Sequence, residues 1–148
     1  MTIKDIMEII TGFIGSFGFA LLYNIRGKKL VAAAVGGLMS WALFIVLGWG
    51  VSDEAIRYFI VALILSVYAE IMARILKTPT TTFIITSLIP LIPGSSLYYT
   101  MASAFKNNAD SFMSNGIKTI ELAGALALGI ISATAITGFI NKIKNLRK

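Results

Sequence analysis

Residues 78–105 read TPTTTFIITSLIPLIPGSSLYYTMASAF, a run without one charged side chain that is broken by Pro90, Pro93 and Gly94. About 20 uncharged apolar residues suffice to cross some 30 Å of hydrocarbon as a helix. Pro90 removes the amide that would bond the Thr86 carbonyl, and Pro93 does the same to Ile89. Gly94 loosens the chain further, and Ser95 or Ser96 can cap a new helix start. The run is therefore expected to span a membrane as a helix broken near its centre. Unpaired backbone is tolerated at that depth only where it lines a cavity or is buried in protein.

The rest of the chain agrees. Leu30 to Ser52 also carries no charge. Of 148 residues, 57% are hydrophobic and only 14% charged, and the mean hydropathy is +0.83. A soluble domain has roughly a quarter of its residues charged, so this chain cannot coat a water-facing surface. The apolar blocks lack period-2 alternation, which argues against a β-barrel. Five spans are expected, at about 6–24, 30–49, 54–76, 80–105 and 117–140. The fold class is thus an all-α integral membrane protein, a single bundle with short connections and the bilayer as its solvent. Asp5 and Glu8 at the start of the first span, with no small-residue cleavage site after it, argue against a signal peptide.

Positive charge sets the orientation. With five spans, Arg26, Lys28, Lys29, Arg74, Lys77, Lys142, Lys144, Arg147 and Lys148 fall on one side. Lys4, Arg57, Lys106 and Lys118 fall on the other, with every acid except Glu70. The N-terminus is expected outside and the C-terminus in the cytoplasm. The net charge of +6 is a topology signal, not a nucleic-acid footprint, because the basic residues sit at block ends without interleaved aromatics.

There is no Cys and no His. That excludes thiolate metal sites, Ser-His-Asp triads and Cys-His dyads, and no Gly-rich phosphate loop follows a strand-like segment. No metal, no cofactor and no catalytic residue are expected. Two features could carry mechanism. Glu70 lies deep in the third span with Arg74 four residues on; it is either a helix-surface pair near the headgroups or a substrate or coupling group. The Pro93–Gly94 break is either a plain kink or a substrate site, since discontinuous helices place half-helix N-termini against anionic groups. Small residues at i+4 spacing, Ala32, Gly36 and Ser40, and Ala125, Gly129, Ala133 and Thr137, allow close helix approach. They would serve packing within the bundle or contact with a second copy in a homo-oligomer.

The string PLIPGSSLYYTM, residues 90–101, closely resembles the Pro-Leu-x-Pro-Gly-Ser-x-Leu-Tyr signature of the threonine/serine exporter family. GFALLYN at 18–24, the small-residue stretch ending in Trp41, and AEIMARILKTPTTTF at 69–83 are similar too. The resemblance covers nearly the whole chain but corresponds to the C-terminal half of full-length exporters. It implies a small subunit in the bacterial inner membrane, working with a larger multi-span subunit. The expected function is secondary export of threonine- or serine-like amino acids, or of small carboxylates such as succinate. The alternative is a non-transporting subunit that stabilises its partner. The candidate substrate-binding residues are Pro93, Gly94, Ser95, Ser96 and Tyr98 at the break, with Asn24 and Glu70.

Overall fold

A computed structural model describes residues 3–146 of the chain, and no strand occurs among them. Arg147 and Lys148, which contribute to the charge asymmetry, lie outside the described residues. The helices are α1 (Ile3–Leu22), α2 (Lys28–Gly48), α3 (Glu54–Ile75), α4 (Thr80–Leu88), α5 (Gly94–Phe105) and α6 (Ala109–Leu146), with a 3-10 turn at Ile89–Leu91. Helices α1, α2 and α3 are each long and apolar enough to cross a bilayer, as is Ala109–Ile140 of α6. Thr80–Leu91 and Gly94–Phe105 form a pair bent by 58° that passes the same test together. The fold is the expected all-α membrane bundle with its fourth span broken. Helix α6 begins at Ala109, well before the apolar segment anticipated near residue 117, because polar residues at its start still form helix.

Local chemistry explains the helix ends. Asp53 caps α3, its Oδ1 accepting the Ile56 amide at 3.0 Å, and Asn108 Oδ1 accepts the Ser111 amide at 3.1 Å at the start of α6. At the end of α1, Asn24 turns left-handed, with φ 57°. Ile25 N–H then reaches the Ala20 carbonyl and Asn24 N–H the Leu21 carbonyl, both at 2.9 Å, the paired bonds of a Schellman ending. Asn107, φ 51°, closes α5 the same way through Asn108 N–H to Ser103 and Asn107 N–H to Ala104. Asparagine suits this conformation because its short polar side chain tolerates the left-handed region.

Burial is distributed as lipid demands. The fully buried residues are largely Ala, Ser and Gly, with few large ones such as Phe83, Leu65 and Val61. Large apolar side chains point outward: Leu22 is 79% exposed, Ile120 74% and Phe139 67%. Water would oppose that arrangement, whereas in a bilayer small residues let helices close on one another. A Cβ at Gly36 would strike Ser87 of α4, and one at Gly37 would strike Ser16 of α1. At Gly129 of α6 it would come within 2.6 Å of the Phe59 carbonyl and 2.8 Å of the Ala62 methyl, both in α3. Gly36, Gly37 and Gly129 are therefore used for packing inside the chain.

The bundle core joins Tyr58, Val61, Ala62 and Leu65 of α3 with Leu88, Leu91, Leu122 and Leu126. Helices α3 and α6 run parallel, with Glu54 bonded to Lys118 at 2.8 Å at one end. Lys118 stands roughly nine residues into α6, so the α5–α6 hairpin projects about 13 Å past the start of α3.

Candidate functional site

The break in the fourth span is built by its two prolines. Helix α4 closes with the Ile89 amide on the Ile85 carbonyl. The next turn tightens, and the Ile89 carbonyl, deprived of a donor by Pro93, instead accepts Ile92 N–H at 3.2 Å. Pro93, at φ −72° and ψ 60°, is the centre of an inverse γ-turn closed by Gly94 N–H to the Ile92 carbonyl at 2.6 Å. Helix α5 then starts afresh, its first turn tied by Leu97 N–H to the Pro93 carbonyl at 3.1 Å. No side chain caps this start. Among the described residues the Ser95 and Ser96 amides, and both their hydroxyls, have no hydrogen-bond partner.

The bend sends α5 away from α4. Helix α5 packs on α6, where the Thr100 and Thr119 hydroxyls meet at 3.3 Å. Pro93 is buried, Ser96 half-buried, and Gly94 and Ser95 exposed. Nothing lies within 4 Å of the position a Cβ would take at Gly94, so α5's open N-terminus faces free space. Tyr98 is 68% exposed, stands edge-on to Tyr99 at 5.6 Å, and lines a groove of about 440 Å³ with Met101, Ala102, Phe105 and Lys106.

Asn24 and Glu70 are elsewhere. Asn24 lies in the α1–α2 turn, where its Oδ1 accepts Arg26 Nε–H at 3.0 Å. Its neighbours Tyr23 and Ile25 line a cavity of about 260 Å³ with Thr81, Thr82 and Ile85, at the opposite end of α4 from the break. The nine residues of α4 put about 13 Å between the two. Glu70 pairs with Arg74 across one turn of α3, Oε2 to Nη2 at 2.9 Å. It sits near the C-terminal end of α3, from which α4 starts five residues on at Thr80. The candidate residues therefore form one group at the break, Pro93 to Tyr98, and two separate positions toward the other end.

Several polar residues escaped sequence reasoning. The hydroxyls of Ser16, Ser66 and Ser87 and the Nε of Arg57 are buried without a hydrogen-bond partner among the described residues. The serines were invisible because a serine in a small-residue stripe reads as packing. In the sequence Arg57 reads only as a charge that bears on orientation. The available signal was its place in the first turn of a helix, where the dipole disfavours a cation.

A family model described as "Threonine/Serine exporter, ThrE" matches residues 8–136. The chain belongs to the threonine/serine exporter family. The match takes in most of α1, all of α2 and α3, the whole broken span and most of α6, so the resemblance carried by PLIPGSSLYYTM is borne out. No solved structure matches the chain. An exporter-family protein of this helix content is a multi-pass membrane protein, and the break, the family signature and the unpartnered amides of Ser95 and Ser96 fall on the same few residues.

Proposed function

We propose that this chain is the small subunit of a secondary exporter in a bacterial inner membrane, moving a threonine- or serine-like amino acid or a small carboxylate of the succinate type. It works beside a larger multi-span subunit, with its N-terminus outside and its C-terminus in the cytoplasm. One observation carries the reading: a membrane-spanning helix interrupted so that a helix start with free amides at Ser95 and Ser96 stands open. A half-helix N-terminus offers oriented N–H groups and a partial positive charge to a carboxylate. In lipid, backbone left this way is costly unless it serves a ligand or a cavity. Pro93 and Gly94 set the break, Ser95 and Ser96 supply amides and hydroxyls, and Tyr98 borders the opening. Asn24 and Glu70 would act at the other end of the path, where a solute enters from the cytoplasm. The chemistry is binding and release, with no bond made or broken.

Reconstitution tests the assignment. Vesicles containing this chain alone should not export labelled threonine, serine or succinate, and adding the larger subunit should start export of at least one of them. Robust transport by the purified single chain would replace the small-subunit reading with a homo-oligomeric transporter. Absence of transport from the complete pair would refute export of these solutes.

A further inference from the structure

Arg57 stands in the first turn of α3, at the positive end of that helix's dipole, a position that disfavours a cation. It is half-buried. Its natural partner would be Glu54, one turn earlier, but Glu54 is bonded to Lys118 of α6 at 2.8 Å. Asp53 is engaged as the α3 cap on Ile56 N–H. The guanidinium approaches the end of α2, whose dipole favours a cation, but among the described residues no carbonyl there accepts a hydrogen bond from it. What holds Arg57 is an aromatic face. Its guanidinium carbon lies 4.8 Å from the Phe44 ring centroid, and Phe44 is fixed edge-on by Trp41 at 5.7 Å and Tyr58 at 5.0 Å. Gly48 makes room, since a Cβ there would sit 3.0 Å from Nη1. The result is an oriented guanidinium with a buried, unpartnered Nε–H.

Near the end of a spanning helix an arginine can reach the headgroup level, yet this guanidinium is turned onto Phe44 with its Nε–H buried, which is costly without an oxyanion partner. The planar fork of guanidinium donors matches an oxyanion in bidentate fashion, which an ammonium cannot do. Arg57 and the break border the same core, because Leu91 and Tyr58 belong to one buried cluster and Phe44 packs against it. We propose that Arg57 is a carboxylate-binding residue of the transport path, receiving the acid group of the solute at the α2–α3 end of the bundle. This rests on the exporter reading and adds a second oxyanion station to the amides of the break.

The chain's two tryptophans report on the site, Trp41 through Phe44 and Trp49 by following Gly48. Purified protein in detergent is titrated with succinate, L-threonine and L-threoninol, which lacks the carboxylate, and separately with phosphatidylglycerol. Saturable change in tryptophan emission with a carboxylate solute and none with threoninol is the expected result. Arg57→Gln should weaken that affinity about 10-fold or more, and Arg57→Lys less, as loss of one good bidentate contact implies. If Arg57→Gln proves too unstable to assay, Gly48→Val moves the guanidinium without removing its charge and should weaken binding several-fold. Unchanged carboxylate affinity in a folded Arg57→Gln or Gly48→Val protein overturns the proposal and leaves the exporter reading standing. A response to phosphatidylglycerol alone also overturns it, assigning Arg57 to a lipid headgroup. No response of the unmodified chain to either solute removes Arg57 from the path, while the vesicle assay judges export independently.

Discussion

Healing the break in the fourth span tests its role most directly. In a Pro90→Leu, Pro93→Leu, Gly94→Ala variant, positions 90 and 93 regain amides able to bond the Thr86 and Ile89 carbonyls, and Ser95 and Ser96 gain partners one turn back. Four backbone bonds at about 1 kcal/mol each give roughly 4 kcal/mol in favour of a continuous helix, beyond the lower intrinsic cost of leaving proline out of a helix interior. Removing the 58° bend would swing the far end of the twelve-residue α5, some 18 Å long, by about 17 Å. The opposing loss is α5's contact with α6, together with the strain on the start of α6, which only residues 106–108 join to α5. Only Thr100 in α5 is buried, and its bond to Thr119 contributes about 1 kcal/mol. Lipid replaces most of the apolar contact, so straightening should win. The expected outcome is an unchanged or higher melting temperature together with lost export. Straightening itself can be verified, because the chain has no cysteine. Thr100→Cys and Thr119→Cys, introduced together, should cross-link in the native sequence and fail to do so in the healed one. A healed protein that loses this cross-link yet exports at the normal rate would show that the break is only a kink.

Three further outcomes are expected. Single cysteines at Asp53 and Asp110 should react with an impermeant thiol reagent on intact cells while those at Lys28 and Lys142 stay shielded; if Asp110 is shielded as well, α4 and α5 form a re-entrant loop. Glu70→Gln should alter stability by no more than about 1 kcal/mol, as for other partly exposed pairs, and lost export from an inserted, abundant variant would instead place Glu70 on the solute's path. Gly129→Leu forces a side chain against the Phe59 carbonyl and Ala62 and should cost about 1–3 kcal/mol. A thermal melt that does not move would contradict the α3–α6 packing.

The break illustrates how much a sequence can disclose. Two prolines and a glycine interrupt a helix through their own missing amides and loosened backbone, so position and type of the break follow from residues 90–94 alone. Its direction does not. That α5 leaves α4 by 58° and rests on α6 depends on Thr100 meeting Thr119, a contact between segments that no local pattern links. The same limit applies to the seven candidate residues. Polarity within apolar surroundings singled out Asn24 and Glu70 beside Ser95 and Ser96, but polarity carries no information about distance. The fold separates them by about the length of α4.

Hydropathy and the prolines of the fourth segment determined the all-α membrane fold and the place of the break, because each is a property of one segment against lipid. The tertiary structure decided which polar groups are left without partners. Arg57 is unpaired only because Lys118, from another helix, takes Glu54, because Asp53 turns to cap Ile56, and because Gly48 leaves space beside Phe44. Pairing is a relation among helices, and it exists only once they are packed.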